Sequence, residues 1–447
     1  MGESRKNRAK VLGSRNGVIT WIKAIPFQNL MESAYPAALR FGGAGLQLLV
    51  TILIARFLGV KESGVYFFWV AVMLEAGQVA TFGLDRLAVQ QLPRLKRDPI
   101  SISGFLAPLR ATALIMAVVL AGILCLYSFW TQEGDHRSVW WYAMILACVS
   151  GITLSFINAE AMTGLGHPVL SIFYRHTLTT VILLLAIVIS GTRLTADIAL
   201  IAYAGSFCIC GFGTMIAPGF RGLGRPLKIP TKTEFTQTLG KGFPIFLNSL
   251  FASLAFLIPL GILERVHPSE ELALFTTGFR IILLFSVLAN AIYSLQMPDL
   301  SRAAHVMDVS AMGRIYRGAA GKGIILLSVP LVVAFVFAHP VMEVFGEGFG
   351  EGVTGLRIML GFAMLSLVLG PAIQLLLMVG RMKEMAVLAA VEMLVVGAAG
   401  FLVVPRYGAE GMAFVVGASL VLEKVLYIAC ALHGIRKPSS QPESLDS

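Results

Sequence analysis

The sequence predicts an all-α polytopic membrane protein of about twelve transmembrane helices arranged as two six-helix lobes. Three observations predict it: an apolar excess beyond that of a soluble domain, a succession of long apolar segments, and clusters of basic residues that recur on every second connection. Of the 447 residues, 57% are hydrophobic and 13% charged, and mean hydropathy is +0.80. A soluble domain is nearer about 45–50% apolar and about 25% charged, and even a large core leaves much of a chain facing water. Lipid must therefore cover the remainder, and an exposed backbone amide in hydrocarbon has no partner, so these segments are helices.

The apolar segments place spans at 38–55, 64–83, 103–129, 138–158, 168–190, 196–216, 242–262, 271–293, 320–338, 354–376, 384–404 and 409–430. Basic residues precede the first span (Arg5, Lys6, Arg8, Lys10, Arg15, Lys23) and recur at Arg86, Arg94, Lys96 and Arg97, at Arg221, Arg225, Lys228 and Lys232, and at Arg302, Arg314 and Arg317. Arg381 and Lys383, then Arg436 and Lys437, complete the series. The intervening connections are acidic or nearly neutral, as with Glu133 and Asp135, Glu264, Glu270 and Glu271, or Glu343, Glu347 and Glu351. An even number of spans keeps this alternation in phase and puts both termini in the cytoplasm. The net charge of +10 thus sets topology and implies no nucleic-acid partner.

The expected layout is a basic cytoplasmic segment 1–37, an N-terminal lobe 38–216, an inter-lobe loop 217–241, a C-terminal lobe 242–430 and a cytoplasmic tail 431–447. The first segment lacks the pattern of a cleavable signal, since Lys23 and Pro26 interrupt its apolar piece. Trp21, Ile22, Ile25, Phe27 and Leu30 allow either a short surface helix or a flexible basic tail. The tail, KPSSQPESLDS, is polar and expected to be disordered. Cys125, Cys148, Cys208, Cys210 and Cys430 all lie in apolar stretches, without metal-ligand spacing, and read as core-filling thiols.

An internal echo supports the two lobes. ARFLGVKESGVYFF (Ala55 to Phe68) aligns with ERVHPSEELALFT (Glu264 to Thr276) and pairs Arg56 with Arg265, Glu62 with Glu271, Gly64 with Ala273 and Tyr66 with Phe275. A second echo pairs LPRL (Leu92 to Leu95) with MPDL (Met297 to Leu300). Both halves would then be parallel repeats with a cavity at their interface, the plan of an alternating-access carrier.

ARFLGVKESGVYFF and FGLDRLAVQQLPRL (Phe82 to Leu95) resemble the signature of the polysaccharide biosynthesis flippases of the multidrug and oligosaccharidyl-lipid exporter superfamily. Ala55, Arg56, Leu58, Gly59, Glu62, Gly64, Tyr66, Gly83, Leu84 and Asp85 fit its pattern, while Ile54 and Ala273 depart from it. The resemblance implies a MATE-like fold and movement of undecaprenyl-diphosphate-linked oligosaccharides to the outer leaflet. It further implies an anionic lipid-linked oligosaccharide as substrate, and membrane lipids, a polysaccharide polymerase and chain-length machinery as partners.

Charged residues in spans are costly and mark pathways. Arg280, about nine residues into the eighth span, is the leading substrate-binding cation, with Arg56, Arg175, Arg110, Arg40 and Lys241 as further candidates for a diphosphate and its sugars. Arg40, Arg110 and Lys241 read first as topology anchors near the headgroups, and Arg56 equally as a helix cap. Glu75 and Glu392, each midway along a span, and Glu160 are the ion-coupling candidates, for a proton or sodium, against the alternative of neutral carboxyls bonded to neighbouring helices. Glu423 and Lys424, adjacent in the last span, read as anchors. Pro244, Pro259, Pro330 and Pro371 favour bends suited to a rocking gate. No cofactor motif is present and no acidic-side loop exceeds about 16 residues, which argues against a membrane polymerase or ligase. An ion-coupled multidrug exporter is the alternative transport reading.

Overall fold

A computed structural model describes residues 27–95, 99–131, 139–216 and 230–436, apart from 295, 307, 380 and 381. The N-terminal basic segment before Phe27, most of the inter-lobe loop and the tail after Arg436 lie outside the described residues, as do the surface-helix positions Trp21, Ile22 and Ile25. The first helix starts at Phe27 and continues into the first span, which begins earlier than its apolar run suggested.

Among the described residues, ten helices are long and apolar enough to cross a bilayer. Two of them are double. Phe27–Ala80 and Met382–Arg436 have 54 and 55 residues, and a straight helix of that length would measure about 80 Å against a hydrocarbon core of about 30 Å. Each reverses at one glycine in a left-handed conformation, Gly59 (φ 72°) and Gly408 (φ 51°), where a β-carbon would be strained. Side-chain contacts confirm the reversals: Arg280 touches both Thr51 and Phe67, and Met385 shares a core cluster with Tyr427 and Ala431. Twelve passages result, and Gly59 is the glycine of the L-G turn in the sequence motif.

The remaining passages are Pro99–Thr131, Val139–Gly164, 168–190, Ala196–Ile216, Lys232–Val266, Ser269–Ser294, Val309–Val336 and 353–378. They are ordered here as the third to the tenth spans, with 27–58 and 60–80 before them and the arms of Met382–Arg436 after. Of the four prolines expected to bend helices, Pro371 follows a break at Gly370, while Pro244, Pro259 and Pro330 stay inside continuous helices. Large apolar side chains cover the outside: Trp130, Trp140, Ile189, Ile325 and Leu402 are all at least two-thirds exposed. An apolar coat of this kind belongs against lipid.

The chain has an acidic end, where the odd-to-even turns lie, and a basic end. At the acidic end the repeat predicted from sequence is physical. Glu62 Oε2 accepts from the Ala196 amide (3.1 Å) at the start of the sixth span, and Glu271 Oε2 accepts from the Ala409 amide (2.5 Å) at the start of the twelfth. The two aligned carboxylates therefore do the same job, neutralising the positive end of the last helix in each half. Replacing either by alanine is expected to cost about 1–2 kcal/mol, read as a lower thermal midpoint in detergent, with glutamine recovering part of it. The second echo is not equivalent in space: LPRL forms a 3-10 turn at the end of helix Leu84–Gln91, whereas MPDL begins helix Met297–His305. Proline favours a helix start in both places, which accounts for the similar letters. Near the basic end Asp308 caps the ninth span, and the Ala311 amide and Ser310 hydroxyl hold its carboxyl below the usual range.

One core cluster runs through both halves, from Val50, Tyr66 and Phe207 to Leu260, Phe275 and Val416. At the basic end it gives way to two separate clusters, Leu84 to Met162 in one half and Leu300 to Ala431 in the other. The halves also meet at the acidic end, where Arg56 Nε donates to the Val344 carbonyl (2.7 Å) and a β-carbon on Gly64 would collide with the Ser269 carbonyl. At the basic end they touch through Phe82 stacked on Phe246, ring centroids 4.0 Å apart. Phe82 has a left-handed backbone (φ 53°), uncommon for a residue with a side chain.

Candidate functional site

A cavity of about 220 Å³ lies in the N-terminal half, walled by the first, second, fourth, fifth and sixth spans. Its lining is polar at Gln47, Thr51, Gln78, His176 and Ser206, and aromatic at Tyr66, Phe67, Phe156 and Tyr203. Arg280 is the one lining residue from the C-terminal half. It reaches across the interface from the eighth span, and its Nη1 donates to Thr51 Oγ1 (3.3 Å). Its Cζ stands 4.9 Å from the centre of the Phe67 ring, a favourable place for a cation. The Nε is buried without a hydrogen-bond acceptor, and no carboxylate among the described residues forms an ion pair with Arg280.

Arg175 lines the same cavity, so the structure brings two of the predicted cations together. Their electrostatic situations differ. Arg175 Nη1 is ion-paired with Glu160 (2.6 Å), and its Cζ lies 4.0 Å from the centre of the Phe156 ring. Asp85 of the FGLD segment also acts on Arg175 electrostatically. Arg175 sits in a π-helical turn, Phe173–Leu178, that interrupts the fifth span. Such turns widen a helix and re-aim its side chains, and they are frequent at functional sites. The Thr179 and Thr180 hydroxyls donate to the Arg175 and His176 carbonyls of that turn.

The other proposed site residues fall elsewhere. Arg110 is fully buried rather than set at the headgroups: Nε donates to Asn158 Oδ1 (2.7 Å), and Asn158 Nδ2 donates to the Gly211 carbonyl and Thr214 Oγ1. This network holds the third, fourth and sixth spans together, and Arg110 does not line the cavity. Arg56 is exposed at the acidic end, held to Val344, and Lys241 is exposed early in the seventh span. Arg40 lies within the first helix, in a stretch whose side chains are not among those described.

Of the carboxylates, Glu160 neutralises Arg175. Glu75 bridges the halves, accepting from Ser253 Oγ (2.6 Å) on the seventh span. Glu392 lies on the eleventh span in the field of Glu423 and Tyr427 on the twelfth. Sequence reasoning missed the role of Glu423 and Lys424, which line a second cavity of about 370 Å³ in the C-terminal half. It also passed over Gln47, Gln78 and Tyr203, although a Gln–Thr pair four residues apart (Gln47, Thr51) places two polar groups on one face of the first span.

A family model described as polysaccharide biosynthesis protein matches residues 32–303. The fold is similar to the lipid II flippase MurJ in an inward closed conformation, with a TM-score of 0.68 at 13% identity over 88% of this chain and 87% of that one. It is similar to an inward-facing multidrug resistance MATE transporter of the MOP superfamily, with a TM-score of 0.65 at 13% identity over 91% of this chain and 100% of that one. A MOP superfamily transporter from Pyrococcus furiosus, whose description reports a binding pocket of reverse polarity, gives a TM-score of 0.60 at 14% identity over 90% and 95% of the two chains. No curated protein matches by sequence.

Proposed function

We propose a function for this chain, which belongs to the polysaccharide biosynthesis protein family: it translocates undecaprenyl-diphosphate-linked oligosaccharide repeat units across a bacterial inner membrane by alternating access. The observation that carries the reading is Arg280, a guanidinium with no carboxylate partner among the described residues, which crosses the interface into a cavity with polar and aromatic walls. A cation kept in a membrane protein interior is expensive unless something anionic visits it, and a diphosphate matches the rigid fork of donors that arginine presents.

In this reading the two six-helix halves, 38–216 and 242–430, rock about the core that joins them, and both termini face the cytoplasm with the basic end. The diphosphate is held between Arg280 and the Arg175–Glu160 pair, the sugars pass through polar surface, and the lipid tail stays in hydrocarbon. Leaving the tail there avoids a transfer cost of about 0.8 kcal/mol for each CH₂. No covalent step is needed, so the chain acts as a carrier and not as an enzyme. Surface-polysaccharide synthesis supplies the substrate, and a polymerase with its chain-length machinery consumes the product.

The test is transbilayer movement of a labelled undecaprenyl-diphosphate oligosaccharide in proteoliposomes. Protein-dependent movement is expected with the intact chain. No movement of such lipids, together with gradient-linked efflux of organic cations, would overturn the reading in favour of a drug exporter.

A further inference from the structure

The 370 Å³ cavity in the C-terminal half is unlike the first. It lies among the eighth, ninth, tenth and twelfth spans, where a largely apolar wall carries polar groups that include Asn290, Tyr293, Ser366, Gln374, Glu423 and Lys424. Its volume falls within the roughly 300–1,000 Å³ of small-molecule sites. Resting on the flippase reading above, we infer that this cavity is a glycan subsite, taking the neutral, hydroxyl-rich part of the substrate while the Arg280 cavity takes the diphosphate.

Three observations support it. The tenth span is broken where it meets the cavity: helix Val353–Leu369 ends, Gly370 turns with φ +73°, and helix Ala372–Met378 resumes after Pro371. Irregular backbone at membrane depth is tolerated where it is buried in protein or lines a cavity, and discontinuous helices form the sites of many carriers. The break frees the Ser366 carbonyl, because the Gly370 amide turns to Leu367. Lys424 Nζ donates to that carbonyl (2.8 Å), which fixes the ammonium in the wall.

The second observation is unfilled hydrogen-bonding capacity. Tyr293 Oη and Gln374 Oε1 are both buried with no partner, while Gln374 Nε2 donates to Asn290 Oδ1 (3.3 Å). An unsatisfied buried polar atom costs about 1–3 kcal/mol, so two in one cavity point to a polar ligand that satisfies them. Amides, a phenol and the opposite charges of Glu423 and Lys424 suit hydroxyl groups, which both donate and accept. A free cation would meet Lys424, and a diphosphate would meet Glu423.

The third is continuity along one helix. Leu283, three residues beyond Arg280, lines this cavity and also a small groove shared with Arg280, Gln47 and Thr51. Tyr293 is 13 residues beyond Arg280, about 20 Å along the helix, so a chain of several sugars attached to a diphosphate at Arg280 extends toward it.

The test measures binding of two probes to the full chain in detergent by native mass spectrometry: undecaprenyl diphosphate, and the same lipid carrying a neutral tetrasaccharide of hexoses. The intact protein is expected to prefer the glycan-bearing lipid by at least about tenfold. Tyr293→Phe combined with Gln374→Leu is expected to erase that preference while leaving affinity for the bare lipid unchanged. Tyr293→Phe alone removes a hydroxyl with no partner, so the thermal midpoint should hold or rise, and a partial loss of preference at unchanged stability supports the site. A preference that survives in the double variant, or no preference in the intact protein, overturns the inference. If the intact protein binds neither lipid, or Arg280→Ala leaves binding of both untouched, the flippase reading fails and this inference with it.

Discussion

Proteoliposomes carrying Arg280→Ala are expected to show transport of an undecaprenyl-diphosphate oligosaccharide reduced by roughly one and a half to three and a half orders of magnitude, at unchanged yield of folded protein. The magnitude follows from the setting. Truncating one partner of a buried, hydrogen-bonded charge pair costs about 2–5 kcal/mol, and each 1.4 kcal/mol is about tenfold. Arg280 meets the condition because Thr51 and Phe67 hold it in place without neutralising it, leaving its charge for the substrate. Folding should survive, since no described carboxylate is stranded by its removal and a buried Nε without an acceptor is lost. Arg280→Lys separates charge from geometry: a lysine restores attraction but not the two-pronged fork, so transport should recover only in part. Arg175→Ala is expected to behave differently, because it strands Glu160, and its effect should appear first as instability. Full transport by Arg280→Ala would remove the observation on which the function rests.

Much of the fold was legible in the sequence because membrane insertion imposes one-dimensional rules. Apolar run length and the alternation of basic and acidic connections lead to twelve passages, and the structure folds two of its ten long helices at Gly59 and Gly408 to make them. The repeat was legible where it does work: Glu62 and Glu271 cap the last helix of each half. It was misread at LPRL and MPDL, where a shared proline marks helix starts that are not equivalent.

The candidate site was less legible, for a physical reason. Sequence reports how deep a residue lies in a span but not which way it points around the helix axis, and depth alone cannot separate a free cation from a paired one. Arg280 and Arg175 share a cavity, yet the first has no carboxylate partner among the described residues and the second is bound to Glu160. Arg110 looked like an anchor and is a buried bolt between helices. Glu423 and Lys424 looked like anchors because neighbours in sequence point about 100° apart on a helix, but a cavity wide enough to receive both makes them wall residues.

Coupling should depend on Glu75. The Ser253 hydroxyl donates to Glu75 Oε2 at 2.6 Å, joining the second span of one half to the seventh span of the other. A hydrogen bond to a carboxylate contributes about 1.5–3 kcal/mol, against about 0.5–1.5 for a neutral pair. Proton binding therefore loosens this strap by about 1–1.5 kcal/mol, enough to shift a balance between two arrangements of the halves by about tenfold. Imposing a proton gradient should accelerate transport by the intact protein, and Glu75→Gln should remove that acceleration while keeping gradient-independent movement. Glutamine retains an acceptor for Ser253, so stability should change little. Ser253→Ala supplies the second test: it removes the strap that proton binding loosens, so it should lower the thermal midpoint and weaken the sensitivity to the gradient even though the carboxyl remains. A sodium gradient imposed without a proton gradient should leave the rate unchanged, because it is proton binding to Glu75 that loosens the strap. An undiminished response in Glu75→Gln would transfer the coupling role to Glu392, whose field reaches Glu423 and Tyr427 beside the second cavity.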